Sequence, residues 1–274
     1  MSVAEVGDRP APPEAAPPLR WLRRTVLPPL LLVMIILAAW QASGLFLDPL
    51  LLSTPTGVVA ALASMSTQGQ IWLALLTSLE EMFIGLSIGL VCGILLGMLM
   101  GRYWFVEKVL SPYVNFFNAT PLVVTLPLLI IWVGISTQAR LLFVVLITIW
   151  PVLLNTLAGV KNVSQGYVDV GRAFGLSEAQ LLRQISIPAA VPYILAGVRI
   201  SVGLAIIGMI ISEIEVSMVG LGFLLTSFGN SFQTAKLFAV ILVTSLLGVL
   251  CAAIVRFVER RWFRWIGDVS ASQR

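Results

Sequence analysis

Apolar residues run along this chain in long, nearly unbroken stretches, with neither strand alternation nor the single stripe of a surface helix. Six stretches stand out: residues 26–40, 71–100, 109–133, 139–160, 191–211 and 236–257. About 20 such residues, coiled as a helix, cross a bilayer core. The pattern therefore predicts an all-α membrane protein with six transmembrane helices and both termini on one side. The second stretch spans roughly 45 Å as a helix, longer than the ~30 Å core, so it tilts or projects. The third carries Pro112, Pro121 and Pro127 and is expected to be kinked or broken. The fourth carries Pro151.

The longest polar interruption between spans lies at 169–188, between the fourth and fifth. It has the layout of two short helices joined at a glycine. Val170 and Phe174 fall four apart on one face. Gly175 can take positive φ and end the first helix. Ser177 with Gln180 forms a capping box for the second. Leu181, Leu182 and Ile185 give it an apolar face, and Pro188 is expected to stop it. A short amphipathic pair between membrane spans suits docking into a soluble partner.

Composition agrees with a membrane protein. Of 274 residues, 58% are hydrophobic and only 11% charged, against about 25% charged in a soluble domain. The net charge of +4 reads as membrane topology rather than nucleic-acid binding. Arg20, Arg23, Arg24, Arg102, Lys108, Lys161, Arg172, Arg183, Arg256, Arg260, Arg261 and Arg264 fall on the side of the termini; Arg140 and Lys236 fall opposite. By the positive-inside rule both termini and the helix pair face the cytoplasm. Residues 1–25, rich in Pro and Ala, read as a disordered cytoplasmic tail, 26–265 as the six-span domain with its loop at 161–190, and 266–274 as a second tail. The basic run before residue 26 also fits a signal peptide, but the long Pro-rich lead and the lack of a clean A-x-A site favour a retained first span.

Several chemistries find no support. The chain has no histidine, which removes most general-base and metal chemistry. Cys92 and Cys251 lie in apolar runs and read as packing residues. Gly85-Leu86-Ser87-Ile88-Gly89 matches the G-x-S-x-G elbow but lacks a strand-to-helix turn and a histidine base. No catalytic residue and no metal ligand is assigned. There is no Gly-Lys dipeptide, so no Walker A loop, and ATP-driven work needs a separate subunit.

Gly85, Gly89, Gly93, Gly97 and Gly101 recur every four residues and suit close helix packing, within the chain or at a contact that slides during switching. Pro121 breaks backbone hydrogen bonding in the third span, and Asn118, Thr120 and Thr125 put polar groups beside the break. With Ser212 and Glu213 they form the candidate translocation path, since broken backbone and stranded polar groups need protein, water or solute at this depth. Glu80, Glu81, Glu213 and Glu215 either sit wet at the outer interface or line that path.

The 169–188 segment resembles the loop of inner-membrane permease subunits of ABC importers. That family pattern is Glu-Ala-Ala, three residues, Gly, nine residues, Ile-x-Leu-Pro. Here Gly175 is followed at the right spacing by Ile185, Ile187 and Pro188, while Asp169, Val170 and Gly171 stand for Glu-Ala-Ala. Leu126-Pro127-Leu128, Trp132-Val133-Gly134, Ala158-Gly159-Val160-Lys161, Gly197-Val198-Arg199-Ile200 and Gly220-Leu221-Gly222-Phe223 are similar to the nitrate, sulfonate and taurine branch. The resemblance implies a type I importer fold in the bacterial inner membrane. It implies a second copy of the chain, a periplasmic solute-binding protein and a cytoplasmic ABC ATPase dimer carrying ATP and Mg. The chain itself binds no cofactor; its partners include lipid and exclude nucleic acid. Coupling to the ATPase would fall to Asp169, Gly171, Arg172, Phe174, Gly175, Leu176, Glu178 and Pro188, and the solute would be a small organic or inorganic anion such as a sulfonate, taurine or nitrate. The rival reading, a stand-alone secondary transporter or channel, calls for an inverted repeat and midplane ionisable groups.

Overall fold

The computed structural model describes residues 27–48 and 50–262, all helix or connection. The Pro-rich lead, the last tail, and Arg20, Arg23, Arg24 and Arg264 lie outside the described residues. In chain order the helices are α1 (Leu27–Ser43), α2 (Pro55–Thr67), α3 (Gln70–Arg102), α4 (Trp104–Ala119), α5 (Thr125–Val133), α6 (Thr137–Lys161), α7 (Gln165–Ala173), α8 (Glu178–Leu181), α9 (Ile187–Val216), α10 (Leu221–Asn230) and α11 (Thr234–Trp262). Four helical runs among the described residues are long and apolar enough to cross a membrane: α3, α6, α8 through α9, and α11. The α4–α5 pair makes a fifth if its two arms are one span, and α1 is apolar but only 17 residues long.

α6 is the central helix. α3 packs parallel to it in a fixed register, so that the five glycines of the stripe face Val144, Thr148, Val152, Thr156 and Val160 in turn. A Cβ on Gly89 would lie 2.1 Å from Thr148 Oγ1, and one on Gly93 2.3 Å from Val152 Cγ1. The stripe therefore serves packing within the chain: side chains of α6 lie directly against α3 backbone. α9 runs antiparallel along another face of α6, where Ser201 Oγ donates to the Thr148 carbonyl at 2.7 Å. A second group of buried apolar residues, among them Met65, Met82, Met209, Leu221 and Val240, joins α3, α9, α10, α11 and α2.

The third span is broken, as its prolines predict. Thr120, just before Pro121, is extended with ψ 132°, the conformation a following proline imposes. A single 3₁₀ turn, Leu122–Val124, follows, and the two arms meet at 89°. Pro127 is tolerated because it is third in α5, where the N–H has no helical partner anyway.

Two expectations are corrected. Pro188 does not stop the helix that begins at Glu178. That helix passes through a π-helical turn, Leu182–Ser186, where the Ile187 N–H donates to the Leu182 carbonyl, and continues to Val216. Pro188 sits at the start of the new α-helical register, so its missing N–H falls where the hydrogen-bond pattern is already changing. The fifth span consequently extends past Ile211. Two helices lie outside the six apolar stretches: α2 between the first and second, and α10 between the fifth and sixth. α2 opens with Thr54 accepting from the Gly57 N–H and with Pro55 in its first turn.

Candidate functional site

At one end of the bundle the 165–188 segment folds as two helices in close contact. Gly175 has φ +77°, a left-handed value that costs glycine little. Its N–H donates to the Arg172 carbonyl at 2.9 Å, and the Leu176 N–H donates to the Gly171 carbonyl at 3.0 Å, closing α7. The capping box is complete: the Ser177 N–H donates to Gln180 Oε1 at 2.8 Å, and the Gln180 N–H to Ser177 Oγ at 3.4 Å. Gly171 is buried, and a Cβ there would lie 2.5 Å from Leu181 and 2.8 Å from Ile185. Smallness at 171 thus lets the second helix close on the first.

The pair keeps its apolar side for something else. Phe174 is 84% exposed, Tyr167 69% and Val170 56%. With Leu176, Ile185 and Pro188 they line an apolar cavity of about 490 Å³. The opposite side is tied to the bundle by charge: Glu178 pairs with Arg102 at the end of α3 and with Arg172 at 3.5 Å, and Arg172 lies 3.8 Å from Asp169. Close by, Lys161 Nζ meets Glu107 Oε1 at 2.5 Å.

In the crook of the broken span, Asn118 and Thr120 line a cavity of about 240 Å³ together with Leu122, Trp150, Pro151 and Leu204. Pro121 makes the bend beside it. The other three residues named for the path do not line this cavity. Thr125 donates to the Leu122 carbonyl at 2.6 Å, and buried Ser212 donates to the Met209 carbonyl at 2.9 Å.

Glu213 is wholly buried towards the other end of the bundle. It accepts from Ser78 Oγ at 2.6 Å and from the Gly222 N–H at 2.7 Å, while Ser78 Oγ accepts from the Leu221 N–H at 2.9 Å. The carboxylate so serves the N-terminus of α10 from a different helix, satisfying donors that have no partner within α10. Gly220, with φ +118°, brings the chain so near that a Cβ would lie 2.5 Å from the carboxyl group. Glu81 is 5% exposed and takes Arg140 in a two-point ion pair, Nε to Oε2 at 2.8 Å and Nη2 to Oε1 at 2.5 Å, with Thr137 Oγ1 3.1 Å from Nη2. Of the four acids Glu80, Glu81, Glu213 and Glu215, Glu80 and Glu215 are exposed, and Glu81 and Glu213 are buried in contacts within the chain.

Sequence reasoning missed Ser78 and the Glu81–Arg140 pair. Glu81 lies one stripe interval before Gly85 and Arg140 the same interval before Val144, so the pair can be read only once the structure gives the register of α3 on α6. We expect Arg140→Met to lower stability by about 3–5 kcal/mol, because it leaves a buried carboxylate unpaired. Glu81→Leu with Arg140→Met should recover most of that loss. Thermal denaturation of the three purified variants in detergent checks this; a double variant as weak as the single would refute the pairwise account.

Among known families, the one described as binding-protein-dependent transport system inner membrane component matches residues 89–264. The chain belongs to that family. The permease is 36% identical to the putative aliphatic sulfonates transport permease protein SsuC of Escherichia coli (strain K12), over 92% of this chain and 95% of that one. It is 31% identical to the taurine transport system permease protein TauC of the same organism, over 91% and 94%. In fold it matches the inward-facing MetNI methionine ABC transporter with TM-score 0.61 at 20% identity, covering 70% of the permease and 96% of that chain. It is the transmembrane subunit of an ABC importer, an integral inner-membrane protein with the helical architecture of such permeases.

Proposed function

We propose that two copies of the permease pair around a central path and carry a sulfonate-class oxyanion, delivered by a periplasmic binding protein, into the cytoplasm. The solute class is supported by the names of the relatives and by the crook cavity, whose lining has no charged side chain. A separate ATPase dimer holds ATP and Mg and grips the coupling segment of each copy. One observation carries this reading: the Tyr167–Val170–Phe174 face is apolar, uncovered, and mounted on a segment tied by Glu178 to the base of α3. A large exposed apolar patch marks an interaction surface. Asp169, Gly171, Arg172, Gly175 and Leu176 shape the segment, and Pro188 borders the cavity. Closing ATPase subunits would draw the two segments together and, through α3 and α9, alternate access to the path. Asn118, Thr120 and the Pro121 bend are its inner lining; Thr125, Ser212 and Glu213 support the helices around it.

The complex reconstituted with its ATPase and binding protein should take up labelled taurine or an alkanesulfonate only with ATP. Uptake by the permease alone would defeat the assignment in favour of a stand-alone carrier.

In the same reading α1 completes six spans and both tails are cytoplasmic. Arg102, the Lys161–Glu107 pair and the coupling segment share one end of the bundle, while Trp40 of α1 meets Phe238 of α11, 5.6 Å between rings, near the other. With Cys92 and Cys251 changed to Ser, single cysteines at Ser2 and Ser272 should resist impermeant thiol reagents in intact cells, and one at Thr67 should react. Reversed labelling would invert the topology.

A further inference from the structure

We infer that the indole N–H of Trp150 is the donor that selects oxyanions in the crook of the third span; this rests on the reading that solute passes through that crook. Trp150 lies on α6 and lines the cavity beside Asn118 and Thr120. Its Nε1 is shut off from solvent and has no hydrogen-bond acceptor. The contrast is Trp40, whose Nε1 donates to the Ser53 carbonyl at 2.8 Å. A buried donor without an acceptor is costly and uncommon in a folded protein. Thr156 Oγ1, also on α6, is a second such atom among the described residues, but of the two residues it is Trp150 that lines the crook cavity.

The Trp150 ring packs against the buried Met100, Val114 and Leu153 cluster. Phe117 of α4 stacks on the ring with centroids 5.4 Å apart and planes 11° from parallel. Phe117 is the residue before Asn118 and stands three before Thr120, where the helix breaks. A rotation at the 119–121 break therefore moves Phe117 and Asn118 relative to Trp150 while α6 stays fixed in its packing against α3. A solute oxygen entering an opened crook would meet the indole N–H and the Asn118 amide together.

The chemistry points to an oxyanion with several terminal oxygens, such as a sulfonate or nitrate. Neutral donors can bind such a group without the trap of a full opposite charge, and transport requires that the solute also leave. An acceptor that reaches the N–H only in the open crook stabilises that state alone, which is what a ligand needs in order to shift a conformational equilibrium.

Trp150→Phe keeps a stacked ring and removes the N–H. In vesicles matched for ATPase subunit content, with saturating binding protein, it should lower alkanesulfonate turnover about tenfold. In the wild-type complex with ¹⁵N-labelled indoles, the resonance missing from Trp150→Phe should move downfield on addition of methanesulfonate. A tryptophan that only packs would leave both readouts unchanged. Thr120→Leu, which fills the crook, should lower uptake; if it does so while Trp150→Phe keeps wild-type turnover and the resonance stays unmoved, the role of Trp150 is overturned and the path kept. Normal uptake by Thr120→Leu as well would overturn the path and this inference with it.

Discussion

Phe174→Asp should abolish ATP-driven uptake while leaving the permease folded in the membrane. The side chain is 84% exposed and packs on nothing that holds the chain together. Its loss therefore leaves the bundle, the Gly175 turn and the Ser177 capping box intact. What it removes is the most projecting apolar group of the coupling face, beside the cavity bordered by Ile185 and Pro188. Aromatic anchors that fill a partner's pocket are worth about 2–4 kcal/mol each, and a carboxylate in their place adds a desolvation cost. The ATPase should bind at least 100-fold more weakly and fail to co-purify. Thermal denaturation of the isolated permease should match wild type. Normal uptake with a full complement of ATPase would show that the segment couples to nothing through this face.

The parts of the fold legible in the sequence are those set by local backbone chemistry. Pro121 dictated an extended Thr120, and the span broke there. Gly175, Ser177 and Gln180 lie within six residues of one another, and their turn and cap form as the types require. Pro188 misled because its effect depends on hydrogen-bond register, and a π turn upstream absorbed it. α10 was illegible for a related reason: its cap is Glu213 of α9, through the Gly222 N–H, so no N-cap side chain precedes it. The buried ion pair joins residues 59 apart, and Ser78 meets Glu213 across 135. Separations of that size carry no periodic signal. The glycine stripe was visible at once, yet its counterpart on α6 was not, because Val144, Thr148, Val152, Thr156 and Val160 look like any apolar run.

That counterpart makes the stripe the most substitution-sensitive surface in the chain. Gly93→Leu should cost roughly 3 kcal/mol or more, since overpacking in a close-fitting interior typically costs about 1–3 kcal/mol even where neighbours yield. Here they yield poorly: a Cβ would lie 2.3 Å from Val152 Cγ1 and 2.7 Å from the Ile149 carbonyl oxygen, which is backbone. The added side chain must push α3 away from α6, and with it the Gly89–Thr148 and Gly97–Thr156 contacts on either side. The Glu81–Arg140 pair, one turn beyond Gly85 in the same register, would open too. Gly248→Leu is the control, because a Cβ there meets nothing within 4 Å. In membranes expressing the two variants, Gly93→Leu should accumulate poorly and denature well below wild type, while Gly248→Leu should match it. Val152→Ala combined with Gly93→Ala should regain part of the loss that Gly93→Ala alone causes, because the clash lies between these two positions. If Gly93→Leu proved as stable as Gly248→Leu, α3 and α6 could not be in the close register that places Glu81 against Arg140.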